Sequence, residues 1–371
     1  MGMQHMPITV GDQIGDYEIT GVLGAGGMGQ VYQVRHTISN RTEAMKVLAP
    51  GRAVSDEFVA RFLREIQLLA SLHHPNITEL HTAFRHNGEL IMIMEFVEGH
   101  TLSVKLSSAP ITLATGLGYI QQVLSGLAHA HERSIVHRDV KPSNIMIGRD
   151  DRVKLLDFGL ALPTLGPEFT RSGMVLGSLP FMPPEQVLGK QLDARSDVYA
   201  VGITLYQLLT GRLPFEGASE YEIASAHLKS SPADPATINP NVPVHLSKIV
   251  LRSLSKSPGD RFQTAKEFLD SLTVLHTGDT ATLAASTLPR QAEGALASNW
   301  PMKQAIDANV LDSVSRDLAF HVGPIAKVIV SRAAKRAISL DELYKLLATE
   351  ISTEKSRQDF LATRIKYSTP R

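Results

Sequence analysis

The sequence predicts an α+β fold that continues through a linker into a small all-α module. Three observations lead there. Val31-Tyr32-Gln33-Val34 alternates and is rich in β-formers, while Phe62, Ile66 and Leu69 recur at helical spacing, so strands and helices share the first part of the chain. Residues 275–301 read as Thr, Ala, Ser, Gly and Pro interspersed with charges, the composition of a linker. Beyond it, Ile338-Ser339-Leu340-Asp341-Glu342-Leu343 has the form of a capping box with a hydrophobic staple, Ser339 at the N-cap, Glu342 at N3 and Ile338 against Leu343.

Leu23-Gly24-Ala25-Gly26-Gly27-Met28-Gly29-Gln30-Val31-Tyr32 carries the pattern G-x-G-x-x-G-x-V, which also fits a dinucleotide-binding turn. A dinucleotide fold needs a helix after the glycines. β-formers follow here instead, so the loop joins two strands, and its glycines let backbone amides approach phosphates without a Cβ in the way. Glu43-Ala44-Met45-Lys46-Val47-Leu48 is a short apolar strand enclosing a single lysine, and the helical segment at 61–69 carries Glu65 between Phe62 and Leu69. Met92 and Met94 alternate with Ile91 and Ile93 in a further buried strand, and Val153-Lys154-Leu155-Leu156-Asp157-Phe158-Gly159 is an apolar strand ending in an acid, an aromatic and a glycine.

The most specific stretch is His137-Arg138-Asp139-Val140-Lys141-Pro142-Ser143-Asn144. It places a carboxylate, a cation and an amide at fixed offsets in one loop, a set suited to phosphoryl transfer. Asp139 can accept the proton of an attacking hydroxyl, Lys141 can neutralise charge on the transferring group, and Asn144 can hold a magnesium ion through its side-chain oxygen.

In the order glycine loop, Lys46, Glu65, Asp139, Asn144, Asp157, these motifs resemble the serine/threonine protein kinases of bacteria, over about three quarters of the chain. The resemblance implies a bilobal protein-kinase fold over residues 17–275, with a β-rich N-lobe at about 17–97, a helical C-lobe at about 98–275 and ATP in the cleft between them. It implies that Lys46 grips the α- and β-phosphates with Glu65 as its ion-pair partner, that Asp157 and Asn144 hold Mg²⁺ (Mn²⁺ being the alternative), and that Asp139 and Lys141 join Lys46 as the catalytic set. Phe158 would pack beneath the helix carrying Glu65, and Gly159 would supply an unusual backbone turn. Leu23, Gly24, Ala25, Gly26, Gly27, Met28, Gly29, Val31 and Ala44 would line the nucleotide, Met94 would be the gatekeeper, and Glu95-Phe96-Val97 the hinge that meets the adenine edge.

Selectivity for serine and threonine follows, by the same resemblance, from Lys141 and from Gly177-Ser178, which stands where Gly-Thr is usual. Pro183-Pro184-Glu185 replaces Ala-Pro-Glu but keeps the acid, whose expected partner is Arg261, and Asp197 matches the acid that anchors the catalytic loop. Leu160–Met182 would be the activation segment. Thr170-Arg171-Ser172-Gly173 resembles the hydroxyl pair on which such kinases act in trans on themselves, through a transient homodimer, with Arg138 receiving the phosphate; Thr164 and Ser178 are further hydroxyls there. A scaffold without activity would be expected to lack Lys46, Asp139 or Asp157, and a small-molecule phosphotransferase would not combine Lys141, Ser178 and the Glu185/Arg261 pair.

Composition sets the remaining expectations. Lys+Arg and Asp+Glu both total 37, so no nucleic-acid or membrane partner is implied electrostatically, and the partners expected are protein substrates. Absence of cysteine excludes disulfides and thiolate metal sites and fits a cytoplasmic signalling enzyme. Met1–Val10 lacks the pattern of a signal peptide, and no membrane span is expected. Histidines 73, 74, 129, 131 and 137 do not suggest a metal cluster, since all fall in segments the kinase motifs already explain.

The division expected is therefore an extension at 1–16, the kinase domain at 17–275, a linker at 276–301 and a helical module at 302–365. In that module Asp312-Ser313-Val314 to His321 is amphipathic, Gly323-Pro324 starts another helix, and Leu343, Leu346, Leu347 and Ile351 line one face. The Gly323-Pro324-Ile325-Ala326-Lys327-Val328 pattern resembles an uncharacterised helical domain appended to bacterial signalling proteins, which implies a protein partner or self-association.

Overall fold

A computed structural model describes residues 8–26, 29–48, 63, 66–108, 111–158 and 178–276, together with Val314, Leu318, Val330, Tyr344, Leu347 and Ala348. Strands β1 (Gln13–Ile14), β2 (Tyr17–Gly26), β3 (Gly29–His36), β4 (Thr42–Leu48), β5 (Leu80–His86) and β6 (Glu89–Glu95) form one sheet in the order β1-β2-β3-β4-β6-β5, every neighbouring pair antiparallel. Gly26 pairs with Gly29, so the glycine-rich segment is a hairpin as its β-forming continuation predicts. The β5–β6 turn has Asn87 and Gly88 at φ 49° and 83°, the type I′ geometry that matches strand twist.

Register assigns the faces of this sheet. Val31 lies opposite Lys46 and Lys46 opposite Met92, while Ala44 lies opposite Met94, so these side chains share one face. The other face carries Tyr32, Val34, Met45, Val47, Ile91 and Ile93, which close a core with Ile14 and Ile19. Met92 packs on the first face against Ile66, from the helical stretch 66–70.

The second lobe is helical. Its helices are α1 (Leu102–Ser108), α2 (Leu113–His131), α3 (Pro184–Val187), α4 (Ala194–Thr210), α5 (Glu220–Lys229), α6 (Pro235–Ile238), α7 (Val244–Ser253) and α8 (Ala265–His276), with a small antiparallel sheet of β7 (Gly99–Thr101), β8 (Ile145–Gly148) and β9 (Val153–Leu155). Helix α4 is the axis of this lobe and is buried from Ser196 to Thr210. Its start is fixed by a capping box of Asp193 and Ser196 and its end by Gly211 at φ 72°. Gly202 lets α7 approach it, since a Cβ there would lie 2.2 Å from Ser253 Oγ.

The chain divides into two compact units, Met1–Gln291 and Ala292–Arg371. In the second, the six described residues are helical and buried. Val314 and Leu318 are four apart, and Tyr344, Leu347 and Ala348 share one helical face. Leu347 is buried as the spacing predicts, Tyr344 and Ala348 join it, and Leu343, Leu346 and Ile351 lie outside the described residues.

Candidate active site

The loop from Ile135 to Asn144 begins where α2 ends and passes into a 3-10 turn at Pro142–Asn144. It is tied down from below. Asp197, buried in the first turn of α4, accepts the backbone N–H of His137 (2.8 Å) and of Arg138 (2.9 Å), and the Nε2–H of His131 (2.8 Å). Burial by itself would push this carboxyl up, but the hydrogen bonds and the neighbouring His131 and His137 hold it below its ordinary value. The same bonds hold Arg138 at φ 68°, a left-handed conformation that costs an arginine about 1–2 kcal/mol.

His137 fixes the floor of the site. Its Nε2–H donates to Leu156 O (2.9 Å), its Nδ1 accepts the N–H of Asp139 (3.3 Å), and its ring lies 4.5 Å from that of Phe158. Complete burial lowers its basicity despite Asp197 and Asp139 nearby, so the neutral tautomer required by these bonds is also the stable one. Phe158 is buried in the same core as Leu69 and Leu72, at the end of the helical stretch 66–70. Gly159, where an unusual backbone turn is expected, lies outside the described residues, and Asp157 has a positive φ of 40°.

Above this floor the polar groups converge. Lys141 Nζ lies 2.7 Å from Asp139 Oδ2 and donates to Ser178 Oγ, also at 2.7 Å, so one ammonium joins the loop acid to the hydroxyl that stands in place of threonine. Asn144 Nδ2 donates to both the carbonyl oxygen and Oδ2 of Asp139, at 2.9 Å each. That amide is thereby oriented, and its Oδ1 is left as the atom a cation can use. Lys46 Nζ bonds Asp157 Oδ1 at 2.6 Å, with the lysine 9% exposed and the aspartate 42%. Glu65, expected as the partner of Lys46, lies outside the described residues, as do Gly27 and Met28. Leu23, Gly24, Ala25 and Gly26 are in β2, Gly29 and Val31 in β3, Ala44 in β4 and Met94 and Glu95 in β6, with Val97 just beyond. Glu95 donates its N–H to Glu79 O (2.9 Å) and takes Lys154 Nζ on its carboxylate (2.7 Å), so its amide is already committed.

Whether these groups suit a divalent ion can be tested on the donor set. Asp157 offers a carboxylate oxygen and Asn144 an amide oxygen, hard ligands of the type Mg²⁺ takes, and two protein ligands are the usual number for an ion that relies on phosphates and water for the rest. The residues therefore fit such an ion.

A buried ion pair and a buried tyrosine–histidine pair brace the helical lobe. Arg261, fully buried, spends all five N–H groups: two on Glu185 (2.8 Å each) and one each on Ser255 O (2.8 Å), Arg195 O (2.9 Å) and Lys256 O (3.1 Å). Ser196 Oγ adds a bond to Glu185 Oε1 at 2.8 Å, coupling the pair to the capping box of α4. A second cluster was not marked in the sequence. Tyr199 OH donates to His227 Nδ1 (3.0 Å), and the His227 ring lies 5.0 Å from Phe215. His227 also meets the backbone of Pro180, two residues from Ser178, and burial pushes its basicity down to about 3.

Residues 159–177, including Thr164, Thr170 and Ser172, lie outside the described residues.

Comparison with known proteins agrees with this geometry. A family model described as a protein kinase domain matches residues 17–274, and one described as a domain of unknown function (DUF8082) matches residues 309–367. The serine/threonine-protein kinase PrkC of Bacillus subtilis is 39% identical over 254 residues, covering 68% of this chain and 39% of its own length. PknB of Mycolicibacterium smegmatis is 38% identical over 269 residues, covering 71% and 43% respectively, so the chain spans less than half the length of these curated relatives. The crystal structure of the Mycobacterium tuberculosis PknI kinase domain superposes with a TM-score of 0.59 at 29% identity, over 73% of this chain and all of that one.

Proposed function

This chain belongs to the protein kinase domain family, and from that premise we propose that it transfers the γ-phosphoryl of ATP to serine and threonine hydroxyls of proteins. The family uses ATP and a divalent metal. The observation that carries the reading is the Asp139–Lys141–Ser178 chain, two contacts of 2.7 Å that place an acceptor for a hydroxyl proton beside a fixed positive charge.

In the proposed reaction the substrate hydroxyl oxygen attacks the γ-phosphorus while its proton passes to Asp139, the bond to the β-phosphate oxygen breaks, and ADP leaves. Lys141 neutralises charge on the transferring group, and Ser178 orients Lys141. Lys46 holds the non-transferred phosphates. A magnesium ion held by Asp157 and Asn144, when bound, supplies charge neutralisation across the phosphates. The hinge at Glu95-Phe96-Val97 and the face made by Val31, Ala44 and Met94 enclose the adenine.

Activation is proposed to follow autophosphorylation of Thr170 or Ser172 in trans, with exposed Arg138 as the receiving guanidinium, in keeping with a signalling role. The segment at 309–367 is proposed to bind a protein partner or a second copy. The test is autophosphorylation of the purified chain with Mg²⁺ and ATP, mapped by mass spectrometry, with Lys46→Ala and Asp139→Asn as controls. Phosphate on Thr170 or Ser172 that both controls abolish supports the reading. Full incorporation by Asp139→Asn, where a loss of about 10²- to 10⁴-fold is expected of a missing general base, sinks it.

A further inference from the structure

Asp157 follows strand β9 by two residues, and the chain that leads to it is clamped on two sides. On one side Leu156 donates its N–H to Asn144 O (2.9 Å), which sets the backbones of the two candidate metal-holding residues next to each other. On the other side runs the stretch 76–78. Asn76 O accepts the Leu155 N–H (2.9 Å), Leu155 O accepts the N–H and the hydroxyl of Thr78 (3.0 and 2.9 Å), and Asn76 Nδ2 donates to Val153 O (2.9 Å). Asp157 itself stands at φ 40°, and a backbone of that kind persists only where its surroundings over-determine it.

Lys154 extends this clamp to the hinge. Its ammonium donates to Glu95 Oε2 (2.7 Å) and to Ile77 O (3.3 Å), and the same Glu95 oxygen accepts the N–H of Glu79 (3.3 Å). Glu79 O in turn takes the Glu95 N–H (2.9 Å), so the hinge residue is held by main chain and side chain together. The pair is sheltered, with 14% of the lysine side chain and 29% of the glutamate exposed, so salt screens it less than a surface pair. The neighbouring acids have other partners: Glu43, opposite Glu95 in the sheet, engages His81 and Arg41, and Glu79 engages His73.

We propose that Lys154 and the Glu95 carboxylate are positioning residues, whose bond sets the hinge, at the adenine end of the site, against the strand that presents Asp157 at the phosphate end. The inference rests on the kinase reading above. Lys154 acts through the backbone, three residues before Asp157, and without its bond to Glu95 the strand loses its charged tie to the hinge. Charge alone cannot imitate this effect. Removing the lysine's positive charge favours a cation at Asp157 and removing the glutamate's negative charge disfavours it, so a direct electrostatic influence moves the two variants in opposite directions. Loss of a shared positioning bond moves both the same way.

The test titrates the full chain with a non-hydrolysable ATP analogue by calorimetry, with and without Mg²⁺; the ratio of the two affinities is the magnesium gain. Lys154→Met and Glu95→Leu are each expected to lower that gain about tenfold, the effect of losing a group that orients a metal ligand. The double variant is expected to lose no more than either single one, because the two act through one bond, and Lys154→Arg is expected to keep the gain. Metal-free affinity near the parent's shows that each variant is folded; should Lys154→Met lose it, Lys154→Gln is read in its place. Gains in the two single variants that equal the parent's, or that move in opposite directions, overturn the inference and leave the kinase reading standing. A parent that gains nothing from magnesium overturns both.

Discussion

Replacing Asp197 by asparagine tests how the catalytic loop is held. The carboxylate accepts three hydrogen bonds, from His137 N–H and His131 Nε2–H on one oxygen and from Arg138 N–H on the other. An amide keeps one acceptor and turns the other atom into a donor facing an N–H. If its oxygen stays under His137 and His131, the Arg138 bond is lost; if it turns over, two bonds are lost. At about 1.5–3 kcal/mol for a hydrogen bond to a charged group, the variant loses roughly 2–5 kcal/mol. Arg138, whose φ of 68° these bonds enforce, is then free to relax by about 1–2 kcal/mol toward an ordinary conformation, and Asp139 moves with it. A displacement of about 1 Å at a reacting group costs about 10²-fold. Urea denaturation and steady-state kinetics of Asp197→Asn should therefore show lowered stability and a kcat down about 10²-fold, with KM for ATP close to the parent because Lys46 and the glycine-rich hairpin do not touch Asp197. A kcat within about threefold of the parent, at full stability, would refute the anchoring role.

Three further outcomes are expected. His227 titrates at about 3 when folded and near 6.5 when unfolded, so the unfolded chain binds the extra proton between these values; stability is complete above pH 6.5 and falls by about 1.4 kcal/mol per unit below it, roughly 2 kcal/mol by pH 5. Melting curves of the parent and of His227→Gln across that window measure this, and an equal slope in both would contradict it. Ser178→Ala removes the partner of Lys141 and should lower kcat/KM for serine peptides about tenfold, whereas Ser178→Thr should stay near the parent. Arg261→Met leaves Glu185 buried without its cation and should cost about 3–5 kcal/mol in urea, part of which Glu185→Gln in the same chain restores.

Much of this arrangement is legible in the sequence because it depends on short-range pattern. The alternation at Val31–Val34 and at Ile91–Met94 assigns each residue to one of two faces, and strand register then carries Val31, Lys46 and Met92 onto the same one. The loop from His137 to Asn144 is read as a unit because its offsets are short: Asn144 reaches back five residues to Asp139, and Lys141 two. The Glu185/Arg261 and Asp197 contacts span 76 and about 60 residues, yet both were reachable through family resemblance. The Asn87-Gly88 turn is a local hairpin signal of the same kind, with both residues at positive φ.

What the sequence did not disclose depends on burial and on competition among partners. Lys46 has a choice of acids, and nothing in its strand selects Asp157, 111 residues away; the selection follows from the left-handed backbone at Asp157, which aims a carboxylate at an almost buried ammonium. His227 looks like an ordinary residue in the last turn of an amphipathic helix, where a cation would favour the helix dipole. Its environment is supplied instead by Tyr199 from α4, Phe215 from the following loop and the backbone of Pro180, three segments with no shared periodicity. Together they exclude water from the imidazole and make it neutral, opposite to the charge its position in the helix suggests. Lys256 follows the same logic, since its lowered basicity arises from Phe215, Tyr199 and Arg261, which only the packed lobe brings around it. The altered basicity of both groups is thus a property of enclosure, which motifs of a few residues do not encode.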